Sequence, residues 1–463
     1  MLFHTVLFSI FLPLVIFLAL VAPRALLYPL LIIASYVFYG WGAGFYILLL
    51  AGTSMMDFAI ALQCHGKPER RRYGIILSGV VNFGVLAYFK YANFAISNVD
   101  AVLTSFGLDS QISTINVILP IGISFYIFQS FAYVVDVLTD KIKPCRSLQQ
   151  YLLFSSWFPQ LIAGPISRAS MLIPQLEKIT QLRAGLSERL PQAAILFAEG
   201  WLRKAFADMA AISANFFYMQ DPSSAGGAAA WYAVVAFGIQ IYGDFSGYSR
   251  MAQGISWLFG IKLMDNFNIP YAADSVRDFW RRWHISLSLW FRDYVYIPLG
   301  GNQYGVSRMY MNLALTMMLC GLWHGANWTF ILWGGMHGGL LILERIGGAI
   351  KMSLPKFVRH FVVLVLVFLA WVPFRADDIE STFLIYSALF NPGWYLPPLS
   401  LVFAVAGIVA CDISLKTRSS VFTDTLRSQI IPVSVWLASC VIIWQIGQVV
   451  GRQEAAAFIY FQF

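Results

Sequence analysis

LALTMMLCGLWHGANWTFILWGG, residues 313 to 335, places a titratable imidazole, His324, in the middle of an otherwise apolar run. Trp323 precedes it, and Gly321 and Gly325 lie to either side. The flanks read as membrane-spanning, because about 20 mostly apolar residues cross the hydrocarbon core of a bilayer. The rest of the chain agrees. Its 463 residues are 59% hydrophobic and 12% charged, where soluble globular chains carry about 25% charged residues. A soluble globular protein is excluded on composition. Backbone groups in lipid must pair internally, so the spans are helices and the fold class is an all-α polytopic integral membrane protein.

Apolar runs fall at 3–22, 25–41, 44–62, 74–94, 115–138, 149–166, 192–217, 229–243, 246–262, 309–322, 325–345, 358–374, 399–414 and 431–450. Several are short or interrupted by glycine, so about 11 to 13 transmembrane helices are expected, with the remaining runs in-plane or re-entrant. The first run lacks a basic leader and is longer than a signal core, so it is expected to remain as a span. The loops HGKPERRRYG (65–74) and TDKIKPCRS (139–147) are basic, while 97–114 carries two Asp and neither Lys nor Arg. Positive-inside reasoning puts the basic loops in the cytoplasm and the acidic one outside. Neither an internal repeat nor a soluble domain is visible, so residues 1–463 are expected to form one membrane domain.

Lys and Arg number 31 against 23 Asp and Glu, a net charge of +8. These cations sit in short loops between apolar runs, which is a topology signal and not a nucleic-acid surface. Five scattered cysteines without CxxC spacing, Cys64, Cys145, Cys320, Cys411 and Cys440, indicate neither a disulfide framework nor a zinc site.

Among the six histidines, His4, His65 and His360 lie at membrane boundaries or in a basic loop and read as interface residues. His324 differs, since ionisable groups deep in a membrane are costly and point to function. A desolvated imidazole stays neutral at pH 7 and can accept a proton as a general base. The alternative is a helix-packing histidine bonded to a neighbouring helix. Asn327 and Trp328, three and four residues on, are expected to share one helical face with His324 and could orient the ring or a ligand. His337, thirteen residues on, would face away, and its glycine neighbours suggest close packing. No metal-ligand motif is present.

A second centre is SVRDFWRRWHISLSLWFRDYVYIPLGGN, residues 275 to 302. It is too charged to span and aromatic enough to lie in the interface. Arg277 and Arg281, and Asp278 and Arg282, are helical i,i+4 pairs. The arginines form a cationic face that could hold phosphate or anchor in headgroups. His284 ends this cluster. Asp136 and Asp244 lie in or near apolar spans, and PQLIAGPISR (159–168) breaks one. Such breaks occur where backbone lines a protein cavity. GxSxG, Walker and dinucleotide motifs are absent, which argues against a serine nucleophile.

Taken in order, LPIGISFYIFQSFAYVVDVL, PQLIAGPISR, DFSGYS, NFNIPY, DFWRRWHISLSLWFRDYVYIPLGGN and GLWHGANWTFILWGGMHG resemble the membrane-bound O-acyltransferases. The nearest likeness is to their bacterial polysaccharide O-acetylation branch, and the motif-bearing core runs over about 24–374, leaving C-terminal helices at 375–463. The resemblance implies a helical fold around a central tunnel and acyl transfer from a cytoplasmic thioester to an acceptor outside. It places the family's invariant histidine on His324 and its second functional histidine on His284. Arg277, Arg281 and Arg282, with Trp323 and Asn327, are the candidate substrate contacts. Acetyl-CoA would be the donor substrate, with no bound cofactor or metal. A periplasmic esterase-like partner would complete transfer to an exported polysaccharide such as alginate or cellulose, at the bacterial inner membrane. D-alanyl transfer from a carrier protein to teichoic acid is the alternative within the family. A transporter or channel is the alternative outside it, although transporters tend to show internal repeats. Relatives commonly carry an acidic residue where Arg250 follows Ser249. If that position shapes the donor site, donor handling differs here.

Overall fold

The computed structural model describes residues 1–3, 5–108, 112–183, 185–218, 226–349 and 355–421. His4, Cys440 and the apolar run 431–450 lie outside them. Regular structure among the described residues is entirely helical. Arg24–Cys64, Pro68–Ser105, Lys356–Arg375 and Leu399–Lys416 are long and apolar enough to cross a bilayer, and Leu7–Val21 and Ile123–Leu138 are shorter apolar helices. The chain is an all-α polytopic membrane protein. It folds as two compact units, Met1–Arg189 with Ile255–Met264, and Leu190–Gly254 with the chain from Asp265 onward.

The first unit holds α1 (Val6–Val21), α2 (Leu27–Ala43), α3 (Ile47–Cys64), α4 (Pro68–Leu86), α5 (Ala92–Ser105), α6 (Ile123–Leu138), α7 (Leu148–Ser156), α8 (Phe158–Leu161) and α9 (Ala169–Leu176). Helix α6 packs on α3 and α4. It begins later than the apolar run at 115 suggests, because Gly122 adopts φ 75° at its start and a Cβ there would press on the Leu161 carbonyl. The α3–α4 seam buries Asp57, whose carboxylate accepts from Ser78 Oγ at 2.6 Å and from Asn82 Nδ2 at 3.1 and 2.9 Å. A carboxylate among apolar helices persists only with such donors. Asp136 is likewise paired, with Lys141 at 3.3 Å. The expected break at Pro159–Pro165 is present: helix ends at Leu161, and the irregular backbone that follows is buried in protein.

The second unit rests on α10 (Leu186–Tyr218) and α11 (Gly227–Leu258). Here the expectation of two spans, 229–243 and 246–262, is corrected: 229–258 lies on one 32-residue helix, and 259–262 follows its end. The glycines that suggested a break are packing residues. A Cβ on Gly247 would collide with the Gly200 carbonyl, and one on Gly243 would crowd Arg203 O at 2.9 Å. Small residues let two helix backbones approach this closely. Charges in the seam are paired, as burial demands. Lys204 meets Asp244 at 2.9 Å, and Arg203 meets Glu199 at 3.5 Å and Asp412 at 2.7 Å.

After α11 come two short helices, α12 (Val276–Arg282) and α13 (Ile285–Phe291), then α14 (Val306–His324), α15 (Trp328–Ala349), α16 (Lys356–Arg375), α17 (Ile379–Ala388) and α18 (Leu399–Val421), which carries Asp412. Helices α14 and α15 form an antiparallel hairpin. Cβ atoms on Gly321 and Gly334 would strike the Phe330 and Met317 carbonyls.

Candidate functional site

The hairpin turn decides where His324 sits. Helix α14 ends on His324, and Gly325 is extended at φ −159°. The Asn327 carbonyl accepts from Phe330 N at 3.2 Å, its Oδ1 accepts from Thr329 N at 3.2 Å, and its Nδ2 donates to Asp377 O at 2.7 Å. Asn is a favoured N-cap because its side-chain oxygen satisfies an orphan amide of the first turn. The expected shared helical face of His324, Asn327 and Trp328 is therefore overturned, since non-helical residues intervene. Asn327 fixes the turn, and Trp328 is exposed.

The break also reverses the expectation for His337. It does not face away: His324 and His337 pack on the same indole, Trp333, with ring centroids 5.1 and 4.8 Å from it. His324 is also against Trp323 at 4.9 Å and Phe374 at 5.1 Å, and is 4% exposed. His337 is wholly buried, stacked on Phe279 at 5.9 Å and bonded to Trp280 Nε1 at 3.3 Å. Its glycine-rich surroundings do serve close packing, as Gly338 lies against Ala314 and Met317.

His284 joins the same aromatic cluster through Trp323, at 6.0 Å, and meets Phe245 edge-on at 4.6 Å. Its backbone is left-handed, φ 41° and ψ 55°, at the N-cap of α13. A non-glycine residue held there costs roughly 1–3 kcal/mol and marks a site whose surroundings enforce it. Asn266, from the NFNIPY motif, supplies that enforcement. Its Oδ1 accepts from Ser286 N at 3.2 Å, from Ser286 Oγ at 2.9 Å and from His284 Nδ1 at 3.1 Å, and its backbone carbonyl accepts from Ile285 N at 2.9 Å. Since the Ser286 amide can only donate, the Asn266 atom is its oxygen, and His284 Nδ1 carries the proton. The lone pair is then on Nε2. Burial in this apolar cluster pushes the imidazole down to about 3, so it is neutral at physiological pH.

Of the candidate phosphate contacts, Arg282 is bound to Asp278 at 2.7 Å and to Asn268 O at 3.4 Å, while the Arg277 and Arg281 side chains are exposed. The α12 N-terminus is covered by Glu344 of α15, whose carboxylate accepts from Val276 N at 2.5 Å and Arg277 N at 3.2 Å. Arg250 contacts Asp265 at 3.1 Å, Gln253 Oε1 at 3.0 Å and Glu199 at 3.8 Å. With Arg203, Ser249 and Asn266 it lines a small open pocket. Among the described residues, no group of three or more His, Cys, Asp or Glu is placed to hold a metal ion.

Sequence reasoning overlooked Asn266 and set His337 aside. The first lies inside a quoted motif, but nothing local says which side chain it will meet. The second depended on assuming one unbroken helix.

Comparison with known proteins bears on what this arrangement does. The model of the membrane-bound O-acyltransferase family matches residues 109–374. A protein named probable alginate O-acetylase from Azotobacter vinelandii is 40% identical over 84% of this chain and 78% of its own length. Its counterpart from Pseudomonas putida is 42% identical over 80% of this chain and 76% of its own length. A peptidoglycan O-acetyltransferase from Helicobacter pylori is 35% identical over 76% of this chain and 71% of its own length. A helical membrane protein with buried histidines meeting on shared indoles, matched to the family pattern over most of its motif-bearing core, belongs to the membrane-bound O-acyltransferase family and is an O-acyltransferase.

Proposed function

We propose that this chain takes an acetyl group from a cytoplasmic donor, acetyl-CoA, and passes it across the bacterial inner membrane for O-acetylation of an exported polysaccharide such as alginate or cellulose. A periplasmic esterase-like partner completes transfer to the polymer. The observation that carries this reading is the placement of His324 and His284, both buried and both against Trp323. His324 acts as general base for the attacking hydroxyl. His284, neutral and with its lone pair on Nε2, orients the thioester or relays a proton. Arg277 and Arg281 are the exposed cations suited to the donor's phosphates. The acetylase names of relatives covering more than three-quarters of the chain support acetyl over D-alanyl as the group moved.

The test is purified protein with labelled acetyl-CoA, with and without the periplasmic partner, followed by identification of the labelled product. A general base contributes about 10² to 10⁴ in rate, so His324→Ala should leave folded protein and almost no labelled polymer. Normal acetylation by that variant removes His324 from the chemistry. Dependence on a D-alanyl-loaded carrier protein in place of acetyl-CoA assigns the alternative donor.

A further inference from the structure

His337 carries a hydrogen-bonding capacity that packing does not use. The Trp280 indole nitrogen can only donate, and it donates to His337 Nδ1 at 3.3 Å. Nδ1 therefore holds a lone pair. An imidazolium would set two N–H groups against each other, so the ring is neutral and its single proton is on Nε2. That Nε2–H is fully buried and has no hydrogen-bond partner among the described residues. A buried donor left unmade costs about 1–3 kcal/mol, and native structures rarely keep one without a role. The ring is also held rigidly. It lies parallel to Phe279, interplanar angle 6°, with Trp280 and Trp333 centroids at 5.2 and 4.8 Å. His324 packs on that same Trp333 ring. One indole is thus flanked by the general base and by a fixed donor with nothing to bind.

We propose that His337 is a further catalytic residue, whose Nε2–H donates a hydrogen bond to the carbonyl oxygen of the acyl thioester. The inference rests on the acyl-transfer reading above and adds to it the group that receives the developing negative charge. In the step, the acceptor hydroxyl oxygen bonds to the thioester carbonyl carbon, its proton passes to His324, and the carbonyl π pair moves onto oxygen. That oxyanion is held by His337 Nε2–H without proton transfer. The pair then returns, the C–S bond breaks, and the thiolate leaves with the proton held by His324. The products are an ester and a thiol. A donor aimed at charge that exists only in the transition state raises kcat more than it lowers KM.

His337→Gln and His337→Met separate a donor from a filler. Both side chains have similar volume, but only Gln places an N–H near the Nε2 position. Full-length protein in nanodiscs is given acetyl-CoA labelled with ¹³C at the carbonyl, with alginate oligomers as acceptor. The assay reads kcat, KM and the isotope-edited infrared stretch of the thioester carbonyl. His337→Met should lose about 10² to 10³ in kcat with KM nearly unchanged, while His337→Gln stays within about tenfold of wild type. The carbonyl stretch should be lowered in wild type and His337→Gln and restored in His337→Met. The pH profile of His337→Gln should match wild type, since a neutral donor is not titrated. Wild-type kcat in His337→Met overturns the inference and leaves acetyl transfer standing. Equal losses in both variants, with the carbonyl band unmoved, assign His337 to packing and overturn it too. No turnover of acetyl-CoA by wild type overturns the acetyl reading itself.

Discussion

Asn266→Asp changes one atom of the group that holds His284 and should move the pH dependence of the enzyme. In the native arrangement a neutral amide oxygen sits 3.1 Å from His284 Nδ1. Replacing the amide by a carboxylate puts a negative charge at that distance with no other change of shape. At an effective dielectric constant of about 20, such a charge attracts an imidazolium by about 5 kcal/mol. Each 1.36 kcal/mol is worth a factor of ten in proton affinity, so the imidazole, held down at about 3 by burial, gains several powers of ten in proton affinity and its pKa rises. Protonation removes the Nε2 lone pair. The sign follows: below the raised pKa His284 is a cation and cannot accept a proton or a hydrogen bond at Nε2, and above it the neutral ring is restored. Acetyl-CoA turnover by Asn266→Asp in nanodiscs, measured from pH 5.5 to 9, should show its acid limb displaced to higher pH while the alkaline plateau approaches wild type. Asn266→Ala should instead lower activity at every pH, because Nδ1–H and the Ser286 amide lose their acceptor and the strained His284 backbone relaxes. A folded Asn266→Asp enzyme with the wild-type pH profile would refute the claim that the His284 lone pair serves the reaction.

Two further outcomes follow from the charges. Arg203→Met should take the guanidinium away from Asp412 and Glu199 and cost about 3–5 kcal/mol, read as a fall in the detergent melting temperature. The double variant with Asp412→Asn should recover part of that loss, and failure to do so would remove Asp412 as the main partner of Arg203. Joint replacement of Arg277 and Arg281 by Ala should raise KM for acetyl-CoA with little change in kcat, as expected for contacts to a remote phosphate. An unchanged KM would place the donor phosphates elsewhere.

Much of this molecule is legible along the chain. Apolar runs name the helices because lipid leaves the backbone no other partner. The rare imidazole in such a run is conspicuous because burying it is expensive. The Asp278–Arg282 pair follows from helical spacing, and it is present. What misled were glycines. Read as interruptions, those near Asp244 divide α11 in two; in the fold they are contact points for α10. Read as ordinary helix residues, Gly325 and its neighbours carry the helix past His324; in the fold Asn327 starts a new helix there. A glycine has no side chain to declare which use applies, and only the surface that meets it decides.

Taken alone, the sequence determined an all-helical membrane protein, its O-acyltransferase family and the identity of its two motif histidines, because hydropathy and motif order are properties of the chain itself. The tertiary structure decided what those histidines meet. It turned the hairpin at Gly325 so that His337 shares Trp333 with His324, and it laid Asn266 against His284 so that one ring nitrogen donates and the other keeps its lone pair. Those relations join residues far apart in the chain through hydrogen bonds and ring contacts whose distances are set by packing, and no local periodicity encodes them.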